Sequence, residues 1–158
     1  KLQSWNVNLA GTKTYGMEVM SQYRYERFYS DFAFSYMRGK TKGSLRDSTG
    51  DDEDLPRVPP MNINLGLGYE VFDGFRVGWQ VNWFDGQNKT GKDLWFSLKE
   101  SESYTLQNMY VNWDVKKVKG LNIGIVVNNL TNQYYEPYLT NGVAGSGREI
   151  NFHASYKY

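Results

Sequence analysis

A histidine and a serine stand two residues apart near the end of the chain, His153 and Ser155 in "REINFHASYKY". A base beside a hydroxyl is the minimum for nucleophilic catalysis, which needs hydrogen-bond reach of about 2.6–3.2 Å. In an extended strand, positions i and i+2 on one face lie roughly 6–7 Å apart, too far for direct proton transfer. Carboxylates gather at Asp51–Asp54 in "DSTGDDEDLP" and at Glu100 and Glu102, with no histidine among them. Oxygen ligands at that density suit a divalent cation. The run Asp47–Asp54 nevertheless lacks the glycine turn and terminal Glu register of a calcium loop, so it reads as a solvated loop. No metal and no cofactor are expected. A third group is Tyr134, Tyr135 and Tyr138, with Arg148 following in the same long polar segment. These are candidates for touching a ligand, although such aromatics serve equally well as interface-belt or loop-packing residues.

Composition restricts what such residues can serve. The chain has 158 residues, 40% hydrophobic and 16% aromatic, enough for a single region over 1–158. A net charge of +1 offers no basic excess for nucleic acid. Cysteine is absent, which removes disulfides, thiolate metal sites and cysteine nucleophiles together. With a mean hydropathy of −0.65 and no long apolar run, a transmembrane helix is excluded.

The elements that must position these residues are strands. In the closing stretch, Ile150, Phe152, Ala154, Tyr156 and Tyr158 alternate with Glu149, Asn151, His153, Ser155 and Lys157. A strand sends successive side chains to opposite faces, so this one has an apolar face and a polar face. The pattern recurs through Met61–Val71, Phe75–Trp83, Met109–Val115 and Leu121–Val127. It also runs through Tyr15–Tyr25 and Phe32–Tyr36, and no segment shows a helical period. The expected fold is all-β, with about eight strands if a short one at Leu2–Asn8 is counted.

Links between these strands alternate in length. Short ones fall near 26–30, 72–75 and 116–120, and long polar ones at about 40–60, 85–103 and 131–147. An antiparallel meander with short turns at one end and long loops at the other is the plan of outer-membrane barrels. Soluble barrels share the alternation, so the decision rests on which face is filled. The apolar faces carry Trp, Tyr and Phe in numbers that would overfill a small interior. The polar faces carry Gly, Asn and charges such as Glu18, Arg24, Glu70 and Arg76, which a wet lumen tolerates. Transmembrane β-barrel strands with the apolar face toward lipid are therefore expected.

Particular motifs sharpen this expectation. "GLNIGIVVNNLTNQYYEPY" followed by "GSGREINFHASYKY" resembles the C-terminal end of TonB-dependent outer-membrane receptors. Asn129, Leu130, Thr131, Asn132, Tyr134 or Tyr135, Gly147 and Arg148 occupy the family's motif positions. Gly16 and Glu18 resemble its Gly-x-Glu strand, and Leu55, Pro56, Val58, Pro59 and Pro60 its Leu-Pro-x-x-Pro-Pro approach to the next strand. The "YYEPY" segment is most similar to the haem and haemoglobin branch.

The resemblance implies the C-terminal portion of a 22-stranded barrel, whose plug domain and TonB-engaging segment are not visible in this sequence. It implies import of haem, a haemoprotein's haem or a siderophore, with the branch's haem-ligating loop histidine lying upstream. Phe152, Tyr156 and Tyr158 resemble the closing signal read by the barrel assembly machinery, with the C-terminus in the periplasm. A complete small eight-stranded barrel of structural or adhesin type stays open as an alternative, and a barrel enzyme less so.

Overall fold

Alternating Val, Ile, Tyr, Phe and Trp favour extended chain because branched and aromatic side chains pack on a pleated surface. A computed structural model describes residues 11–42, 53–55, 57–88 and 99–158 of the chain. It is an antiparallel sheet of β1 (Thr12–Tyr25), β2 (Phe28–Thr41), β3 (Glu53–Asp54), β4 (Asn62–Phe72), β5 (Phe75–Phe84), β6 (Tyr104–Asp114), β7 (Leu121–Asn128) and β8 (Glu149–Tyr156). The seven long strands pair in chain order, and β3 pairs with β2 alone. The expectation of antiparallel β-structure with a meander is met.

Two boundaries differ from the sequence reading. The first short link is only Glu26 and Arg27, so Tyr29 and Ser30 belong to β2. The acidic segment is not wholly a loop, because Glu53 and Asp54 pair with Thr41 and Lys40. This pair makes the eighth strand among the described residues; the expected strand at Leu2–Asn8 lies outside the described residues, as do Asp47–Asp52 and Pro56.

Pairing carries the faces across the sheet. Phe28, Tyr69, Val77, Val111, Ile125 and Phe152 form one cross-strand row, and Tyr23, Ser30, Leu67, Trp79, Met109, Val127 and Ile150 the next. These side chains are not covered: Trp79 is 37% exposed, Ile125 39% and Phe152 76%. Among the described residues, Val58 is the only apolar residue that is buried. The sheet therefore keeps no apolar core of its own, and its large side chains look outward. Rings gather where the short links are: Phe72 stacks on Phe75 at 4.7 Å, and Phe75 meets Trp113 edge-on at 6.4 Å.

The opposite face is polar and closely fitted. Arg24, Tyr29, Gly68, Gly78, Tyr110, Val126 and Asn151 make one row. Tyr29 and Tyr110 reach over the two glycines from either side, and their hydroxyls meet at 2.6 Å. A Cβ at Gly68 would lie 2.0 Å from the Tyr29 ring, and one at Gly78 2.2 Å from the Tyr110 ring. The glycines are thus the floor that lets the rings lie flat. Gly16 has a different reason, since a Cβ there would come 2.4 Å from the Tyr36 carbonyl of the neighbouring backbone.

Toward the short links this face becomes a hydrogen-bonded ladder. Arg76 donates to Asn112 Oδ1 and to Asp114 Oδ2, at 3.1 and 2.6 Å. Asn112 and Asn122 exchange amide hydrogen bonds at 3.0–3.1 Å. His153 Nε2 lies 3.2 Å from Asn122 Oδ1 and 3.3 Å from Asn112 Nδ2. The imidazole is tied to amides rather than to Ser155. Below it, Asp73 joins all three short links, through Arg27 at 3.2 Å and Lys116 at 2.8 Å. Lys116, then Arg27, hold the Asp73 carboxyl below its usual range. The group is exposed, so solvent screens much of this gain.

Candidate functional site

The long-loop end of the polar face carries the candidate site. Register places Phe84 opposite Tyr104 where β5 and β6 leave the sheet. Their rings stack at 4.9 Å, and Tyr135 from the last loop lies tilted against Tyr104 at 4.8 Å. Aromatic pairs in this range contribute about 0.5–1.5 kcal/mol each beyond burial. The Tyr135 ring also lies against Gly145, where a Cβ would approach to 2.1 Å. Gly145 also donates its backbone N–H to the Tyr135 carbonyl at 2.9 Å.

Beside this stack lies a cleft of about 480 Å³ between the segments Lys99–Tyr104 and Gln133–Glu136. Lys99 Nζ donates to Glu136 Oε2, and the Tyr134 hydroxyl donates to Glu136 Oε1 at 2.8 Å. Hydrogen bonding to Lys99 and then Tyr134 holds the Glu136 carboxyl below its usual range. The same contact with Glu136 raises Lys99, and it raises the Tyr134 phenol too. At neutral pH the cleft therefore presents a paired ammonium and carboxylate beside exposed aromatic surface. Tyr134 is 69% exposed and available to a solute.

Of the four residues singled out in sequence, Tyr134 and Tyr135 line this cleft, and Tyr138 and Arg148 do not. Burial raises the Tyr138 phenol, and the nearby Arg57 backbone opposes that shift. Arg148 contributes its backbone N–H, donated to Asn132 Oδ1 at 2.9 Å. Sequence reasoning missed Lys99, Tyr104 and Glu136. Tyr104 was legible in principle as an aromatic at the start of an alternating run, whereas the Lys99–Glu136 pair unites two loops whose approach no spacing reveals. Among the described residues, no group of three His, Cys, Asp or Glu could hold a metal ion.

The Asn-Leu-Thr-Asn segment is what holds the loop in place. Asn129 is 4% exposed and has a φ of 49°. Its Nδ2 donates to the carbonyls of Gln133 and Ser146 at 2.9 and 3.1 Å, and its Oδ1 accepts from Gln133 N at 2.8 Å. Its own N–H donates to Asn108 Oδ1 at 3.0 Å. One amide thus ties the end of β7 to the approach to β8, and Asn132 repeats the tie at Arg148. Asn129→Ala removes all three hydrogen bonds of this buried side chain and is expected to cost about 1–3 kcal/mol. Faster hydrogen exchange over residues 129–148 of the full-length protein would confirm it; unchanged exchange would contradict it.

A family model described as TonB dependent receptor-like, beta-barrel matches residues 3–130. The chain belongs to this family. Barrels of the family reside in the bacterial outer membrane. The TonB-dependent receptor barrel described here is 32% identical over 158 residues to TonB-dependent heme receptor A of Haemophilus influenzae (strain ATCC 51907 / DSM 11121 / KW20 / Rd), covering 96% of this chain and 21% of that protein. It is 27% identical to the heme/hemopexin utilization protein C of Haemophilus influenzae, over 96% of this chain and 20% of that one. The chain thus spans about a fifth of the length of the curated relatives it matches. Among solved structures it is similar to the copper transporter OprC, with a TM-score of 0.76, 19% identity, and coverage of 93% of this chain and 24% of that one. The FrpB iron transporter from Neisseria meningitidis (F3-3 variant) gives 0.74 at 20% identity, with the same coverage. The fold of this receptor barrel is theirs.

Proposed function

We propose that this chain is the C-terminal part of the wall of a 22-stranded, plugged receptor barrel that imports haem, or another iron source, by TonB-dependent transport. The observation that carries this reading is the continuous apolar face, open to the surroundings across the long strands. Water would not tolerate so much exposed Trp, Phe, Ile and Val, whereas lipid requires it. The haem assignment is supported by the relatives named for heme. The plug and the segment that engages the TonB complex belong to another part of the receptor. The work of this part is capture and passage rather than catalysis.

In this reading the links at Glu26–Arg27, Asp73–Gly74 and 115–120 face the periplasm, as does the C-terminus, and the cleft beside Tyr134 faces outside. Cysteine at Gly142 is expected to react with an impermeant maleimide on intact cells, and cysteine at Lys117 only after the outer membrane is opened. Labelling of Lys117→Cys in intact cells would invert the topology. Ligand reaches the cleft through Tyr134, with the Tyr104–Tyr135 pair as its wall.

Deleting the receptor gene in a cell unable to make haem should abolish growth on haem, and restoring it should rescue growth. Tyr134→Ala should weaken haem binding by roughly fivefold, from about 1 kcal/mol of aromatic contact. Growth on haem without the gene would remove the haem reading; undiminished binding by Tyr134→Ala would remove only the residue.

The end of the chain has a separate role. Phe152 and Tyr156 stand on the outward face of the free edge of β8, and Tyr158 extends fully exposed beyond it. An edge cannot remain unpaired in lipid, so the assembly machinery must recognise this strand before it closes. Deleting Tyr158 should lower the amount of receptor in the outer membrane while assembled molecules keep their haem affinity. Normal amounts after deletion would argue against a signal.

A further inference from the structure

The outward face of β1 and β2 ends in an arrangement that a sheet alone does not favour. Lys13 lies directly opposite Lys40, and Arg38 is one alternation below, opposite Tyr15. Lys42 continues the column, its N–H bonded to the Gly11 carbonyl at 2.8 Å. Like charges directly opposite on one face are destabilising. Among the described residues, Asp54, opposite Lys40 on its other flank, is the one carboxylate in register with them. Among the described residues none of these four cations makes an ion pair. Arg38 is held by a 3.1 Å bond to the Tyr36 hydroxyl, with its guanidinium 5.8 Å from that ring's centre. The three lysines are exposed.

Depth gives the cluster meaning. From Phe28 to Tyr36 the outward positions of β2 are Phe28, Ser30, Phe32, Phe34 and Tyr36. They cover roughly 26 Å along the strand at about 3.3 Å per residue. A tilt of about 40° reduces this to roughly 20 Å, close to the apolar band of about 25 Å in such barrels. Arg38, Lys40 and Lys42 follow at once, at the depth of lipid headgroups, on the end that bears the long loops. Whatever neutralises them must also lie against Phe34, Met17 and Tyr36, on whose face they stand. An anion with acyl chains meets both conditions, and a free soluble anion meets only one.

We propose that Lys13, Arg38, Lys40 and Lys42 form a docking site for the phosphate groups of an outer-leaflet lipid headgroup, with its acyl chains along the apolar face below. The proposal rests on the reading of this face as lipid-exposed with the long loops outside. A lipid held there would relieve the lysine–lysine opposition and brace the strand pair that leads into the long loop after β2.

The test uses the full-length receptor, stripped of lipid in a neutral detergent and titrated with lipid A, a diphosphorylated glycolipid, under native mass spectrometry. Each cation near an anionic lipid surface is worth about fivefold in binding, so Lys13→Gln/Lys40→Gln/Lys42→Gln should weaken lipid A binding by at least about tenfold. Lys116→Gln/Lys117→Gln/Lys119→Gln, at the opposite end, should leave it unchanged. Equal binding by the first triple variant, or equal binding of zwitterionic phosphatidylethanolamine by the unmodified receptor, would overturn the proposal. So would displacement of lipid A by millimolar inorganic phosphate, which would mark a site for a soluble anion. Reconstitution in brominated lipid separates this failure from the broader one. If replacing Trp79 with Phe removes a quenched signal, the face meets lipid and only the docking site fails; if Trp79 is not quenched, both readings fall.

Discussion

Arginine in place of Ile125 is expected to lower the stability of the folded barrel by about 2–4 kcal/mol, the cost of a guanidinium on a lipid-facing strand near midplane. Ile125 is central in β7, between Val111 of β6 and Phe152 of β8 in the same row. Its side chain is 39% exposed on a face whose neighbours are all apolar, so an arginine would find no carboxylate and no lumen water. One alternation away the outcome reverses. Asn151→Arg points to the polar face beside Val126, where the head can reach water, and should cost less than about 1 kcal/mol. Urea midpoints for folding of the full-length receptor into vesicles would read the contrast. Equal costs at the two positions would mean that the faces do not divide lipid from lumen.

Gly120→Ala should be the more damaging of the small substitutions, at about 3 kcal/mol. Gly120 has a φ of 89°, where any Cβ costs roughly 1–2 kcal/mol. That Cβ would also lie 2.0 Å from the Lys157 carbonyl oxygen. Backbone cannot swing aside as a side chain can, so the end of β8 must move. The hydrogen bond from Lys157 N to the Gly120 carbonyl, 2.9 Å long, would go with it, at about 1 kcal/mol. Gly142→Ala makes the proper comparison. Its φ is 88°, but its nearest neighbour is the Lys99 ammonium at 3.2 Å, which can move. A thermal transition lowered by Gly120→Ala no further than by Gly142→Ala would refute the backbone argument.

The faces were legible in the sequence because a period of two is a local property. The apolar positions assigned outward that pair in register, from Tyr15 to Tyr156, stand on one side of the sheet. Strand ends were less legible for an equally physical reason. Gly39, Lys40 and Thr41 look like loop residues, yet they pair because β1 runs on beside them to Thr12. Glu53 and Asp54 are poor strand formers held only by their partner. The Tyr29–Tyr110 bridge needed the register of four strands, which no single strand contains. At the site, Tyr134 and Tyr135 were visible as an aromatic cluster. Lys99 and Glu136 were not, since 37 residues separate them and only the folded loops bring them together. Asn129 was visible as a turn residue, but its four hydrogen bonds depend on where Asn108 and Ser146 fall.

The strict chain order of the long strands has a kinetic consequence. Each strand finds its partner across a link of two residues at 26–27 and 73–74, or at most about twenty at 129–148. Loop-closure entropy rises by only about 0.6 kcal/mol per doubling of length, so adding the next strand costs only about 2 kcal/mol more at the long loops than at the tight turns. Growth can therefore proceed hairpin by hairpin, with no search for a distant segment. The far edge of β8 has no partner among the described strands, and in the barrel we propose its partner comes from the other end of the receptor. That pairing alone carries the closure entropy of the entire barrel, which makes it the slow step that a cell gains most by catalysing.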